Sequence, residues 1–543
     1  MWRGFRMNID DSMDGGFSTD GHRRGPVRAA VSATVGSRLG YLAFALLFAV
    51  VTVGAVLPLW LVPFPPLQDL PQHLAAIRIL HSYEDPSFGF AEYFQVDLFR
   101  TQYLAYYWVC HLLSYVWDVA TANLLLISAT LVAIPYALAC LLRALGRDPA
   151  WALFVVPLTY NPHLILGFLN FLAAIPLMLW GLALAVWQQR AYRRWRAVLL
   201  GCILVVAFYT HVVPFALLAV GVGLLALGSN LHKTGVGLLP LVPVVPAAIH
   251  WLLVSPAGQA TATAAGLANG RHPLGFRTWD RALGQLPVWL SDVFAGNHDL
   301  LVLKLWGTLL VGVGSVGLVF RCRRAPVDGL QRLQQRLWPL PFLAVVGYFY
   351  APSAYDWIWP IAERFALLAA ILVVCLLPRL ERVQRTVALS LLVIVCGAHI
   401  TVAQQALRGF SEEVGDIDGA IAAIPPKQRV VGLIFQRDSN HVRFSPFLHY
   451  VALYQARKGG VVMFSFAEFP QSPITFRPEN RPPQVRPRWE WLPRTVNPRR
   501  DLGYYDYVLV RGGPGQIERQ RRSFEEVFRS PHWRVYRNRR RVE

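Results

Sequence analysis

The sequence predicts an α-helical polytopic membrane protein, with about eleven spans plus interfacial helices and a C-terminal extracytoplasmic α/β domain. Three observations carry that prediction. Of 543 residues, 55% are hydrophobic and only 15% are charged, whereas soluble domains carry roughly 25% charged residues. The apolar residues gather in runs near or somewhat below the roughly 20 residues that cross a bilayer. After residue 406 the chain turns polar, Pro- and Arg-rich, and strand-like runs replace the apolar ones.

The formal net charge is +20, with a pI near 10.1 and a mean hydropathy of +0.38. In a soluble chain that charge would suggest nucleic acid. Here much of the Arg flanks apolar segments, where it orients spans and meets anionic head groups, so membrane lipids are the expected partners. No basic-aromatic motif of a nucleic-acid module is present, and nucleic acid is not expected. Cys110, Cys140, Cys202, Cys375 and Cys396 lie in apolar runs and Cys322 in a basic loop, without a C-x-x-C pair. That argues against disulfides and a Cys-based zinc site.

In chain order, residues 1–39 are polar, Gly-rich and without hydrophobic period, and read as a disordered cytoplasmic N-terminal tail. The apolar run 39–62 exceeds the roughly 7–15 residues of a signal-peptide core and reads as an anchor helix. A multi-span membrane domain is expected over 40–406, with further apolar segments at 119–142, 150–166, 168–188, 197–210, 212–228, 237–254, 301–320, 338–352, 363–378 and 387–406. The loops after alternate spans carry the basic residues: Arg143 and Arg147; Arg190, Arg193, Arg194 and Arg196; Lys233; Arg321 to Arg336; Arg379 to Arg385. All fall on one side if Tyr103 to Trp117 does not cross, and the positive-inside rule makes that side cytoplasmic. The 103–117 segment is short, broken by His111 and rich in Tyr and Trp, and reads as an amphipathic helix in the outer interface.

The expected location is the cell (inner) membrane, multi-pass, with the first outer loop at 63–118 and a long outer loop at 255–299. Residues 407–543 read as a soluble extracytoplasmic α/β domain. Its strand-like runs are 429–435, 461–466, 505–510 and 533–537, with helical patterns FLHYVALYQARKGG and QIERQRRSFEEVF between the first two and the last two.

The topology gathers polar residues on the outer face. Asp69 and His73 follow Pro63-Phe64-Pro65-Pro66 at the exit of the first span. Ionisable groups at that depth are costly and are usually paired or functional. A carboxylate there could act as general base on a hydroxyl acceptor, and these two are the candidate catalytic residues. The structural alternative is that Asp69 caps a helix with Pro71 near its start. Glu92, Asp97 and Arg100 form a second charged group in the same loop, as substrate contacts or solvated charge. Asn161 and His163, with Asn170 beyond, break an apolar hairpin where they could bond a sugar or phosphate; Asn-Pro is also a turn signal. Glu363 and Arg364 open a late span, where Arg offers a fork for phosphate oxygens or snorkels in a pair with Glu363.

His211 reads as a packing residue. His272 and His298 lack metal-ligand spacing, so no metal is assigned; a divalent cation bridging phosphates at Asp69 stays open as a cofactor. Gly312 to Gly317 match G-x-G-x-x-G inside an apolar run without a preceding strand, and read as small residues for helix packing.

The layout resembles the GT-C superfamily of integral-membrane glycosyltransferases. The features that carry the resemblance are Asp69 in PPLQDLPQH, interfacial helices in the first outer loop, many spans with short inner loops, Arg364 in AERF, and a soluble C-terminal domain. DLPQH departs from the Asp-Glu pairs of several branches. The resemblance implies a polyprenyl-phosphate-linked sugar donor used on the outer face, Asp69 as the base that deprotonates or orients the acceptor, and Arg364 neutralising the departing lipid phosphate. A transporter or flippase is the rival reading, but it should show internal repeats and polar mid-membrane helices, which the sequence lacks. A non-catalytic accessory subunit for envelope polysaccharide or lipid export is the other.

Overall fold

The computed structural model describes residues 42–98, 100–227, 231–260, 274–319, 329–355, 358–483, 489–513, 515–520 and 522–539. The N-terminal tail, Arg271, His272, Cys322 and Asp356 fall outside them. The chain divides into Met1–Val50 and Val51–Glu543, and the fold described is that of the second unit. An apolar helix, α1 (Leu42–Gly54), runs across that boundary.

After the short α2 (Leu57–Trp60) the prolines at 63, 65 and 66 end the helical path, and α3 (Leu70–His81) starts with Pro71 at an early position, where its missing N–H is no loss. A strand, β1 (Phe94–Val96), and α4 (Ala105–Leu113) complete the first connecting loop. With nine residues, α4 is about 13 Å long at 1.5 Å per residue, too short to cross a bilayer. It exposes Trp108, Val109 and Leu112.

The helical layer follows: α5 (Val119–Ala144), α6 (Pro162–Leu166), α7 (Leu169–Arg190), α8 (Arg194–Phe208) and α9 (Val212–Ala226). Next come α10 (Leu231–Leu241) and α11 (Val244–Leu253), bent by 57° where they meet. Then α12 (His298–Val319), α13 (Pro339–Tyr350), α14 (Arg364–Val373) and α15 (Arg382–Val414) close the layer. Among the described residues, α5, α7, α12 and α15 are long and apolar enough to cross a membrane, and the bent α10–α11 pair is a fifth candidate if it forms one span. Asp118 starts α5 by accepting from the N–H groups of Ala120 and Thr121, at 3.0 and 3.1 Å.

The expected span 150–166 is not one helix. Residues Pro149–Leu158 form a 3-10 stretch, and α6 restarts after Asn161. Pro157 and Pro162 each remove a donor that a continuous helix would need. The glycines at 312 and 314 lie inside α12 with no neighbouring atom within 4 Å of a Cβ built there. Among the described residues no helix packs closely against these two, which corrects that expectation for Gly312 and Gly314.

The C-terminal part is a mixed five-stranded sheet. Its strands are β2 (Arg429–Ile434), β3 (Val461–Val462), β5 (Tyr507–Arg511), β6 (Phe524–Arg529) and β7 (Trp533–Asn538), with α16 (Val451–Lys458) between β2 and β3. A further strand, β4 (Ile474–Phe476), lies outside this sheet and pairs with β1. The strand order is β3-β2-β5-β7-β6, parallel through the first three and antiparallel thereafter. One face buries Val431, Leu433, Val508 and Val510 with Trp489, Tyr505 and Tyr536.

Two expected runs behave differently. FEEVF is strand β6, because pairing with β7 prevails over the helix propensity of its Glu residues; only Gly515–Glu518 is helical. VVMFSF pairs only at Val461 and Val462, after which the chain carries Phe464 and Phe466 towards α3. The sheet is tied to the helical layer through the end of α15. Arg511, 2% exposed, donates to the carbonyls of Glu413 and Val414 at 2.8 and 3.3 Å, and the Trp533 indole donates to Val414 O at 2.6 Å. Carbonyls that a helix end leaves unpaired are thereby satisfied.

Candidate active site

The two faces of α3 separate its residues. Asp69 and His73 face a cavity of about 250 Å3, whereas Leu70, Leu74 and Arg78 line another of about 360 Å3. Asp69 stands at the N-cap position, yet its side chain makes no capping bond. Its placement comes from the backbone: the N–H groups of Gln68 and Asp69 donate to Ile165 O and Leu166 O at 2.7 and 3.1 Å. The end of α6 thus lies against the loop. Gly167 closes it at φ +88°, and a Cβ there would come within 2.8 Å of the Asp69 Cβ.

His73 is held at both nitrogens, with Nδ1 2.9 Å from the Tyr107 hydroxyl and Nε2 2.9 Å from Gly167 O. A carbonyl only accepts, so Nε2 carries the proton and Nδ1 accepts from the tyrosine. Burial lowers the pKa of His73 against the opposing charge of Asp69, and the imidazole is neutral at pH 7. It braces the site; neither nitrogen is left for a substrate.

Arg364 opens α14 on another wall of the cavity. Its guanidinium lies 5.3 Å from the ring centre of Phe168 and 5.9 Å from that of Phe171. It is 8% exposed, and its Nε has no hydrogen-bond partner among the described residues. Glu363 does not pair with it, because that carboxylate binds Arg277 at 3.2 Å and accepts from Ser353. Among the described residues no carboxylate pairs with Arg364. Asn170 also lines the cavity, with a buried Oδ1 that has no hydrogen-bond partner among the described residues. His211 caps α9 by accepting from Val213 N–H at 3.2 Å and stands 5.1 and 5.3 Å from the rings of Tyr103 and Phe171. Trp359, Phe466 and Phe469 supply aromatic surface, and Gln471 and Ser472 a polar edge.

The other expected contacts lie elsewhere. Glu92 and Asp97 are exposed beside β1. Arg100 is half-buried and offers its carbonyl to Ser255 and Ala257. Asn161 is committed to the turn: Oδ1 accepts from His163 and Leu164 N–H, and Nδ2 donates to Leu158 and Thr159 O. His163 is fully buried, 4.8 Å from Phe171 and 5.6 Å from Trp289. None of these, nor Glu363, lines the cavity.

Two residues beside Asp69 escaped the sequence reading. His449 Nε2 lies 3.3 Å from Asp69 Oδ1, and its Nδ1 lies 2.5 Å from Glu490 Oε1. The ring stacks on Phe464 at 5.3 Å and 19°. Burial acts to lower the His449 pKa, but the Glu490 and Asp69 carboxylates outweigh it and push it up to about 10. His449 sits in an apolar helical pattern and Glu490 among tryptophans, so no local motif marks either. The three groups form a row with the imidazole in the middle. Among the described residues no group of three or more His, Cys, Asp or Glu is arranged to hold a metal ion.

Fold and site together define a helical multi-pass membrane protein whose C-terminal mixed-sheet domain helps to enclose a cavity lined by both charged and aromatic side chains. The solved structures to which the chain is similar include ArnT from Cupriavidus metallidurans. The ArnT crystal structure bound to undecaprenyl phosphate matches at TM-score 0.55 and 13% identity, over 92% of this chain and 98% of that one. The apo structure matches at TM-score 0.56 and 13% identity, over 93% and 99%. At this identity the likeness is one of fold, and it extends over nearly the whole length of both chains. No family model and no curated protein matches the sequence.

Proposed function

We propose that this protein is a membrane glycosyltransferase that moves a sugar from a polyprenyl-phosphate donor to a hydroxyl acceptor at the outer face of the membrane. The observation that carries the reading is one cavity lined by both the Asp69 carboxylate and the Arg364 guanidinium, which has no carboxylate partner among the described residues. An Arg buried without a counter-charge is costly unless a ligand supplies one, and a phosphate matches its fork. The fold shared with ArnT, solved with undecaprenyl phosphate, supports a carrier of that class.

In the reaction Asp69 takes the acceptor's hydroxyl proton as the acceptor oxygen bonds to the anomeric carbon. The bond from that carbon to the phosphate oxygen breaks, and its electron pair leaves with the phosphate. Arg364, a fixed and largely buried cation, stabilises the charge gathering there. Asn170 is placed for sugar or phosphate contacts, and the aromatic walls suit the apolar faces of a sugar ring. We retain a multi-span membrane domain, a cytoplasmic N-terminus and a soluble domain on the outer side.

Binding of a short-chain polyprenyl phosphate to the purified protein tests the carrier assignment. Arg364→Gln should weaken it by roughly tenfold or more, as expected for a lost charge-assisted contact. Equal binding by wild type and variant would contradict the assignment, and absence of binding by both would favour a protein with no lipid-phosphate substrate.

A further inference from the structure

We propose that the soluble domain is a working part of the transfer site: His449, fixed by Glu490, clamps one oxygen of Asp69 and leaves the other to take the acceptor's proton. The inference rests on the reading of Asp69 as the base.

The geometry of the row carries it. His449 presents Nε2 to one carboxylate and Nδ1 to another, at 3.3 and 2.5 Å. Ionised carboxylates only accept, so an imidazole bonded to both donates from both nitrogens and is a cation. The ring is 5% exposed and stacks on Phe464, which fixes its plane. The Nε2 contact is to Oδ1 of Asp69, and Oδ2 is left for substrate. A cation alone beside Asp69 would orient it but weaken it as a base. The carboxylate of Glu490 on the far side returns that negative charge, so orientation is gained with less loss of basicity. This is the logic of a base oriented by a third group.

The other titratable groups facing the row are His73 of α3, whose ring and Tyr107 of α4 lie towards Asp69. Both are neutral at pH 7, and His73 is committed to Gly167 O. Asp69, His449 and Glu490 are therefore the charged members of the row itself. His449 and Glu490 touch Asp69 or its partner and not the reacting atoms, so they are positioning residues.

Docking of the domain sets the row. Gln68 Oε1 accepts from Ser445 N–H at 3.2 Å, while Gln72 Nε2 donates to Phe464 O at 3.0 Å and its Oε1 accepts from Phe466 N–H at 3.3 Å. The residues flanking Asp69 thus grip the segments that carry and stack on His449.

The test uses the full chain in lipid. It measures kcat/KM for sugar transfer against pH in wild type, His449→Gln and Glu490→Gln, together with thermal unfolding against pH. His449→Gln should lower kcat by roughly 10- to 100-fold with little change in KM for the carrier, because the carboxylate loses the group that orients it. Glu490→Gln should move the basic limb down by about one to three pH units, because His449 loses the partner that holds its proton. A Glu490→Gln variant that scales the rate without moving the basic limb would overturn the clamp. The unfolding arm stands without activity. A His whose folded pKa is raised to about 10 contributes stability that is full below about 6.5 and lost as pH rises through 10. The margin of wild type over Glu490→Gln should shrink across that window, and a margin independent of pH would overturn the clamp even if no donor is ever found.

Discussion

At the scale of single residues, the site depends on a few positions with no tolerance in their geometry. Gly167 combines a left-handed backbone with contact against Asp69. Gly167→Ala should therefore destabilise the protein by about 1–2 kcal/mol from the backbone alone. It should also displace Asp69, so that activity falls further than the lowered melting temperature explains; a variant with wild-type melting and rate would contradict this placement. The residue types that sequence reading finds are those whose chemistry is out of place in an apolar context. Asp69, His73, Asn170 and Arg364 stand out that way, and all four line the cavity. Asn161 and His163 stand out equally, but one is consumed by a helix cap and the other by aromatic packing. Polarity in an apolar run marks a residue that needs a partner, without saying whether that partner is backbone, ring or substrate.

At the scale of elements, most apolar segments of the sequence coincide with helices, because hydrophobic run length is a strong signal. The exceptions have physical causes. The 150–166 run is apolar throughout but carries Pro157 and Pro162, and apolarity cannot distinguish a span from a buried irregular stretch. β6 is rich in Glu and reads as helix until its neighbour β7 is known. The joint between α15 and the sheet is invisible to pattern, since Arg511 looks like one more Arg in an Arg-rich domain. Arg511→Ala should cost about 2–4 kcal/mol, from two charge-assisted bonds to carbonyls and its place over Phe447 and Trp533. Thermal unfolding and limited proteolysis should show the sheet released before the helices; unchanged melting and cleavage would contradict that role.

At the scale of the whole molecule, the first connecting loop and the C-terminal mixed-sheet domain are joined by direct contacts. β1 pairs with β4, and Arg78 donates to Ala456 O at 3.1 Å. Asp69 meets His449 across a large separation in sequence, and Glu490 arrives from further still. A reading that takes the chain segment by segment can single out the carboxylate and the arginine of the cavity, but not His449 and Glu490, which come from distant segments. The central claim is that Asp69 is the base of a glycosyl transfer. The most direct measurement is incorporation of radiolabelled sugar from polyprenyl-phosphate donors into lipid or polymer, in membranes holding equal amounts of wild type or Asp69→Asn. Loss of a general base should reduce transfer by about 10²- to 10⁴-fold, with Asp69→Asn still able to bind the carrier. Undiminished transfer by Asp69→Asn would remove Asp69 from the chemistry and contradict the account.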